Sequence, residues 1–452
     1  MTMHFFAARP IALPLILLAT GMASVTATTY AAQGEAQQRW QLLNQIRLEK
    51  FDLVLPEVMR ENQVDMWITV NREGYDDPLT EDFGKGYVHD WGFYIFTDRG
   101  GDRIERAALG IGTYLVTENG AYDMYKDDFN PDQELKAFVE ERNPKTIALN
   151  FATHIGAADG LTHTAFLHLT KLLGKKFSDR FVSSQKLASD FRSRRVATEI
   201  AAFAAAGEMS RNIAERAFSN EVITPGQTTL EDVAWWMHEQ QFINNLGTSF
   251  AMPSVYITGP DGLVALSSDH VIQRGDFLAI DWGVGYLNFY TDIKRHAYVL
   301  REGETHLPAS IQRAFDNGRA VRDILKNNIK AGRTAKDTYD LLNQRISDAG
   351  FRVMASFNEP SNDPAAIDVI IGCHSVGNLG HGIGPSIAWF NPERMTYVIQ
   401  PSNLFSIELF AYTAIPEWGG KKLRIPLEDD AIVTERGVEW LYPVNQKILL
   451  IR

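Results

Sequence analysis

The feature that most constrains this chain is a pair of aspartates embedded in apolar, strand-like runs. Asp281 and Asp292 lie eleven residues apart in the segment AIDWGVGYLNFYTDIKR. Alternate residues of a strand share one face, so a hairpin that turns at Gly283 to Gly285 directs both carboxylates into one cavity. Buried carboxylates are costly unless they are paired or bind a metal ion. The segment therefore predicts a rigid sheet that carries a metal site.

Three further candidate ligands follow in the C-terminal half of the chain. His381 lies in LGHGIGP, Glu408 in LFSIELFAY and Glu428 in RIPLEDDAIVT. With the two aspartates they form a hard, oxygen-rich set that suits Mn, Fe, Co or Zn and differs from a thiolate structural site. Two ions about 3.5–4 Å apart can activate a water molecule and polarise the bond that it attacks. The pattern predicts a two-metal hydrolase.

Length, charge and cysteine content limit the classes of protein to which this chain can belong. A chain of 452 residues is too long for one ordinary core, so two domains are expected. A net charge of −12, without any strongly basic run, argues against nucleic acid as a partner. Cys373 is the only cysteine, so the fold must form without an intrachain disulfide.

The first residues have the pattern of an export signal. Arg9 precedes a short apolar core over 11–23, and small residues at Ala27 or Ala31 offer a cleavage site. Pro14 and Gly21 interrupt the apolar core, which is too short to span a bilayer. We predict a signal peptide over 1–31 and a periplasmic or secreted protein. The alternative is a retained amphiphilic anchor.

Hydrophobic periodicity divides the rest of the chain into two parts. Short β-rich runs (VDMWITV, GFYIFTD, RAALGIG, KTIALN) alternate with helical segments, which predicts an α/β domain over 36–185. An Ala-rich stretch after residue 190 predicts a long helix that ends before Pro225-Gly226. A second helix is expected after it, with a Thr cap before Glu231 and Asp232. Beyond residue 250 the pattern indicates strands and hairpins.

These motifs resemble those of the M24 metallopeptidases, which include methionine aminopeptidases, Xaa-Pro aminopeptidases and prolidases. The segment GDFLAIDWGVGYLNFYTDIKR resembles the first metal motif of that family and GHGIG its His motif. LFSIELFAY and EDDAIVTERGVEWL resemble its last two metal-binding strands. The resemblance covers about 190–452 and implies an α+β pita-bread domain there. The domain over 36–185 resembles the accessory α/β domain of the creatinase and prolidase branch.

The resemblance also implies a role for each ligand. Asp281 would chelate one ion, Asp292 and Glu428 would bridge two, and His381 and Glu408 would complete the second. Glu408 would also take or relay the proton of the attacking water. The implied cofactors are two divalent ions, Mn first and Co, Fe or Zn otherwise. The implied substrate is a small peptide or amide, with Xaa-Pro aminopeptidase or dipeptidase as the leading specificity.

Three departures from the family pattern bear on which substrate the sequence predicts. Ala388 stands where the family has a second His, and Leu263 and Val264 stand where it has an upstream His. Arg424 lies four residues before Glu428, whereas the Xaa-Pro enzymes have an Arg two residues before this Glu. We expect Arg424 to bind substrate from a shifted position.

Other histidines are candidates for the missing imidazoles. His374, seven residues before His381, is the leading catalytic candidate. His296 and His270 are further ones, and His89 is a candidate for the site of a neighbouring subunit, since this branch often forms homodimers. Two other functions stay open. One is hydrolysis of a non-peptide amide, and the other is a catalytically silent domain that binds peptides.

Overall fold

The computed structural model describes residues 34–452 except 261, 267, 358–359 and 379–381. The predicted signal peptide over 1–31 and the predicted ligand His381 therefore lie outside the described residues. Within the described residues, no helix combines the length and the apolar character needed to cross a membrane.

The N-terminal part is a six-stranded mixed sheet with helices on both faces. Its strand order is β4-β3-β2-β1-β5-β6, antiparallel in the β1–β3 meander and parallel at both edges. The strands are β1 (Met66–Asn71), β2 (Tyr87–Thr97), β3 (Glu105–Gly112), β4 (Met124–Lys126), β5 (Ile147–Leu149) and β6 (Phe181–Ser183). The helices are α1 (Glu35–Glu49), α2 (Leu55–Glu61), α3 (Thr80–Phe83), α4 (Tyr114–Thr117), α5 (Asp132–Arg142), α6 (His163–Leu173), α7 (Lys175–Ser178) and α8 (Gln185–Ser193), with a π-helix (Lys50–Val54) between α1 and α2 and a 3₁₀ turn (Gly156–Ala158).

Two larger sheets and one small sheet make up the C-terminal part. The five-stranded sheet has the order β22-β13-β10-β8-β9, and the three-stranded sheet the order β12-β11-β7. The third sheet has the path β19-β18-β15-β17-β20-β21, with β14 and β16 also paired to β15. The strands are β7 (Gly247–Thr248), β8 (Ser254–Gly259), β9 (Gly262–Leu266), β10 (Phe277–Trp282), β11 (Val284–Tyr286), β12 (Phe289–Tyr290), β13 (Ile293–Val299), β14 (Arg352–Val353), β15 (Asp368–Ser375), β16 (Ser386–Ala388), β17 (Leu404–Ser406), β18 (Leu409–Ala414), β19 (Lys422–Leu427), β20 (Asp430–Thr434), β21 (Gly437–Trp440) and β22 (Leu449–Ile451).

Four helices cover these sheets from outside. They are α9 (Ala197–Ala217), α10 (Leu230–Ile243), α11 (Ala309–Asn328) and α12 (Ala335–Asp348), and 3₁₀ turns occur at Arg394–Thr396 and Pro416–Trp418. The first two share a core with the five-stranded sheet, and the last two share a core with the largest sheet. The expected Thr cap is present: the Thr229 hydroxyl accepts from the Asp232 amide at 3.0 Å, and the Asp232 carboxylate accepts from the Thr229 amide at 2.8 Å.

The hairpin that carries the two aspartates turns later than expected. Residues 284–286 continue as strand β11, and Tyr286 pairs with Phe289, so the tip lies at Leu287 and Asn288 rather than at Gly283 to Gly285. Leu287 has a φ of 56° there. Glycine is required at position 283 for a different reason: a Cβ there would lie 1.7 Å from the carbonyl oxygen of Thr291. The prediction of the turn position was wrong, although the hairpin itself is present.

The two parts of the chain share one apolar core. Phe51 and Phe191 of the N-terminal part belong to the same buried cluster as Phe289 at the hairpin tip and Leu404 of β17. Asn288 and Phe289 border a narrow cleft together with Lys50 and Phe191. The strands of the six-stranded sheet all fall within 36–185, while the boundary between 185 and 190 stays a prediction.

Candidate metal and active centre

Four of the predicted acidic side chains meet in one place, between the two larger sheets. Asp281 is the penultimate residue of β10, and Asp292 immediately precedes β13 of the five-stranded sheet. Glu408 lies between β17 and β18, and Glu428 lies between β19 and β20, in the largest sheet. The Lys294 amide donates to the carbonyl of Glu428 at 3.1 Å, which joins the two sheets at this point.

The ammonium of Lys294 lies among these carboxylates. Its Nζ is 3.1 Å from Asp281 Oδ2 and 2.8 Å from Glu408 Oε1, and it also contacts Glu428 Oε2. Lys294 is the direct cross-strand neighbour of Asp281 in the β10–β13 pair, which explains why both side chains point the same way. The Lys294 side chain is only 3% exposed, so its charge is balanced by these carboxylates and not by water.

His374 completes the cluster from β15. Its Nδ1 is 3.1 Å from the carbonyl oxygen of Ser375, which can only accept, so Nδ1 carries a proton. Nε2 then faces the carboxylates, 3.4 Å from Glu428 Oε1 and 3.8 Å from Asp292 Oδ2. Ser406, paired with His374 in the sheet, donates to Glu428 Oε1 at 2.5 Å. The imidazole is therefore oriented as metal-binding histidines are, with one nitrogen on a backbone carbonyl.

The pKa values of the four carboxylates are shifted in different directions. Burial raises the pKa of Asp292 well above its ordinary value, and the carboxylates of Glu428 and Asp281 raise it further. Burial also raises the pKa values of Asp281 and Glu408, although Lys294 opposes this. Burial would raise that of Glu428 as well, but Lys294 and His374 outweigh it and lower this pKa. A cluster with this excess of negative charge would be stabilised by an added cation.

The donor set fits a divalent ion. Ligand atoms of Asp292, His374 and Glu428 all lie within 4.8 Å of one another, and the three residues are buried. Two carboxylates and one imidazole are ligands that Mn, Fe, Co and Zn accept. These three residues would hold the ion.

Arg424 lines a cavity of about 790 Å³ together with Leu263, Phe357 and Tyr412. Its guanidinium carbon lies 4.4 Å above the ring of Phe410 and 5.8 Å from that of Phe357. The guanidinium of Arg424 therefore stacks on aromatic side chains that line the cavity. Burial and the Asp281 carboxylate raise the pKa of the neighbouring Tyr256, while Lys294 and Arg424 oppose this rise. Tyr256 is therefore within electrostatic reach of both the carboxylate cluster and Arg424.

The structure separates the remaining histidine candidates from the cluster. His296 is fully buried, with ring contacts to Phe277 and Phe315, and its Nδ1 lies 3.0 Å from the side-chain nitrogen of Asn445. His270 lies 3.6 Å from Asp276, and His89 is exposed beside Tyr87. Ala388 is buried in β16 opposite Gly372. His381 lies outside the described residues, so its role as a ligand stays a prediction.

Lys294 is the residue of this centre that sequence reasoning missed. The signal was present, because Asp292 and Lys294 are two residues apart and therefore share a face of the strand. A lysine near an acidic residue usually extends its ammonium into water, which made the position look unremarkable in sequence.

Comparison with known proteins identifies the family to which this chain belongs. The model of metallopeptidase family M24 matches residues 201–435, which include all five predicted ligands. The chain belongs to metallopeptidase family M24. Among curated proteins, the M24 chain is 27% identical over 188 residues to a Xaa-Pro dipeptidase of Pyrococcus furiosus, covering 41% of this chain and 44% of that protein. It is 26% identical over 175 residues to the uncharacterized peptidase YqhT of Bacillus subtilis, covering 38% and 40% of the two chains. These matches span less than half of either relative.

Solved structures confirm the predicted pita-bread fold for this M24 chain. The X-Pro aminopeptidase of Thermotoga maritima superposes with a TM-score of 0.62 at 19% identity, covering 87% of this chain and 99% of the other. The prolidase of Pyrococcus furiosus gives a TM-score of 0.56 at 19% identity, covering 86% and 99%. Coverage this high extends the superposition into the N-terminal sheet, which spans residues 66–183. At such identities the likeness shows the fold alone.

Proposed function

We propose that this M24 chain is a metal-dependent hydrolase that cleaves the C–N bond of small peptides, with an aminopeptidase or dipeptidase specificity of the Xaa-Pro type. The observation that carries the proposal is the convergence of Asp281, Asp292, Glu408, Glu428 and His374 from two sheets into one buried cluster. A binding domain without catalysis would not require so costly a concentration of buried charge.

Exposure indicates the direction from which substrate arrives. The side chain of Asp281 is 31% exposed and that of Glu408 11%, whereas Glu428 is only 1% exposed. Asp281 and Glu408 thus form the mouth of the centre, and the other ligands form its floor. Glu408 is the carboxylate best placed to accept the proton of an attacking water as the scissile carbonyl approaches.

The divalent ion would supply Lewis-acid activation of the water and of the carbonyl. Asp292, His374 and Glu428 would hold it. Mn is our first choice, and Co, Fe and Zn are alternatives because a carboxylate-rich set discriminates weakly among divalent metals. Family resemblance implies two ions, with Asp281 on one of them and His381 and Glu408 on the other.

The cavity beside the mouth suggests a substrate with a free carboxylate. Arg424 lies on its wall with Lys422 and the exposed Lys421. Among the described residues, Arg424 forms no ion pair with a carboxylate, whereas Lys422 contacts Asp368 at 2.6 Å. A guanidinium stacked on Phe410 and available for pairing suits the terminal carboxylate of a dipeptide or tripeptide.

The test is hydrolysis of a mixed di- and tripeptide library that includes Xaa-Pro members. Mn-loaded protein is expected to release products, and chelated protein is expected to lose this activity. The variant Glu408→Gln should be inactive, while Glu435→Gln, an exposed glutamate in the β20–β21 turn, should match the wild type. Metal-loaded protein that cleaves no member of the library would contradict the proposal.

A second candidate function has one observation in its favour. Ala388 is buried where the family has a histidine, and Leu263 lines the cavity where another is expected. A pocket altered in this way suits an amide that is not a peptide. Metal-dependent cleavage of simple N-acyl amides, with no cleavage of peptides, would favour it.

We also propose that the protein acts in the periplasm or is secreted, on the basis of the export-type pattern over 1–31. Cell fractionation with an antibody to the chain tests this: recovery with periplasmic or secreted markers is expected, and recovery with cytoplasmic markers would contradict it.

A further inference from the structure

Glu428 makes different contacts with its two carboxylate oxygens. Oε2 contacts the ammonium of Lys294, and Oε1 faces Nε2 of His374 at 3.4 Å while accepting from Ser406 at 2.5 Å. A carboxylate that bridges two cations has this arrangement, with one oxygen directed to each. Here one of the two positions that Glu428 bridges is filled by a side chain of the protein itself.

The ammonium occupies the space that an ion at this position would need. Lys294 Nζ lies within hydrogen-bonding distance of oxygens from Asp281, Glu408 and Glu428, and these three surround it. An ion bound by the same oxygens would lie about 2.0–2.2 Å from each of them, inside the volume of the ammonium. A divalent ion and the ammonium would also repel each other strongly in a site from which water is largely excluded.

The rest of the lysine side chain is held in place. Its backbone amide is bonded to the carbonyl of Glu428, its strand neighbour is Asp281, and Nζ lies 5.6 Å above the ring of Phe410. Only 3% of the Lys294 side chain is exposed, so water competes little with the carboxylates for its ammonium.

Charge balance is compatible with one ion beside the ammonium. The four carboxylates carry four negative charges, and Lys294 with one divalent ion supplies three positive ones. One ion beside the ammonium therefore leaves the centre with one net negative charge, and two ions would leave it with one net positive charge.

We propose that Lys294 replaces one of the two metal ions, so that this M24 chain binds a single divalent ion, held by Asp292, His374 and Glu428. The proposal rests on the proposed function for its context, but it concerns the number of ions and not the rate of cleavage.

Counting bound Mn tests it. The full chain is equilibrated with excess Mn, dialysed, and analysed for metal per chain, and electron paramagnetic resonance reports whether the ions are magnetically coupled. Wild type is expected to hold one uncoupled ion per chain. Lys294→Met removes the ammonium without losing the length of the side chain, and it is expected to raise the count twofold, to two coupled ions.

A buried lysine elsewhere provides the matched control. Lys50 is also buried, 3.3 Å from Glu199, and lies outside the centre. Lys50→Met is expected to leave the count at one. Two ions in the wild type would overturn the proposal, and so would a count of one in Lys294→Met.

A second variant keeps the test decisive if Lys294→Met does not fold. Asp281→Asn is expected to keep one ion, because Asp281 pairs with Lys294 and not with the metal. Loss of the ion in Asp281→Asn would overturn the proposal. Failure of the proposed function would appear differently, as absence of peptide cleavage with the ion count unchanged. A wild type that binds no ion would overturn the present proposal and the metal dependence together.

Discussion

Gly372 lies directly against the carboxylate of Glu408. A Cβ atom at position 372 would come within 2.8 Å of Glu408 Oε2 and 3.3 Å of the Phe390 ring. The amide of Gly372 also donates to the Glu408 carbonyl at 3.1 Å, so the two residues are fixed to each other through the backbone. The absence of a side chain at 372 provides the space in which the Glu408 carboxylate reaches the mouth of the centre.

Replacing Gly372 by alanine should therefore damage catalysis more than folding. The added methyl group displaces the Glu408 carboxylate by a fraction of an ångström to about 1 Å, and a misplacement of that size lowers kcat roughly 10- to 100-fold. Steady-state kinetics and thermal melts of Gly372→Ala measure both effects. Gly156→Ala is the control, because nothing lies within 4 Å of a Cβ there. Equal kcat values in the two variants would show that the contact with Glu408 is unimportant.

Removing the Asp292 carboxylate should remove the metal. Asp292 belongs to the buried triad with His374 and Glu428, so Asp292→Ala is expected to lose bound Mn and hydrolysis together. Glu408→Ala is expected to lose hydrolysis while retaining most of its metal. Metal analysis of the purified variants distinguishes the two. Normal metal content and normal rate in Asp292→Ala would refute the assignment of the carboxylates.

Arg424 should affect the binding of substrates that carry a free carboxylate. A charge-assisted hydrogen bond contributes about 1.5–3 kcal/mol, so Arg424→Met is expected to raise KM at least about tenfold for dipeptides. The effect on the same peptides with an amidated C-terminus should be small. KM measured for both series provides the comparison, and Arg436→Met, an exposed arginine paired with Glu439, is the control. An equal rise for acids and amides would exclude carboxylate recognition by Arg424.

His296 should make the fold sensitive to acid. Burial, with a smaller contribution from Arg295, lowers its pKa from 6.5 to about 3. The unfolded chain therefore takes up a proton as the pH falls through about 6.5, whereas the folded chain does not until about pH 3. The free energy of unfolding is then expected to decrease as the pH is lowered through this window, by up to about 1.4 kcal/mol per pH unit.

Urea unfolding of wild type and His296→Gln between pH 7 and pH 4 tests this pH dependence. The difference in unfolding free energy between the two proteins should change with pH in the stated direction. His163→Gln, an exposed histidine on α6, should unfold in parallel with the wild type. A difference between wild type and His296→Gln that does not change with pH would contradict the prediction.

Much of the centre could be predicted from sequence because its carboxylates stand among apolar, strand-forming residues. Water would otherwise be the natural partner of Asp281 and Glu408, and the apolar neighbours on both sides of each limit its access. The same alternation that placed these carboxylates on one face also places Lys294 there. Sequence could not show that the ammonium stays in the centre, because a lysine side chain is long enough to reach either water or a buried acid.

The turn of the hairpin shows a second limit of prediction from sequence. Gly283 looked like a turn residue because glycine is common in turns, but it is needed where the backbone of Thr291 passes closely. Leu287, at the actual tip, has a positive φ that its residue type does not predict. Close approach between strands depends on the register of pairing, which is a property of the folded sheet.

The contact between the hairpin tip and the N-terminal part has a consequence for laboratory evolution of this chain. Phe289 packs in the same core as Phe51 and Phe191, and the hairpin behind it carries Asp281 and Asp292. We expect a substitution in that core to move the hairpin and both aspartates without touching substrate. Libraries that seek a new specificity therefore have useful positions in the N-terminal domain, far along the chain from any residue that binds the peptide.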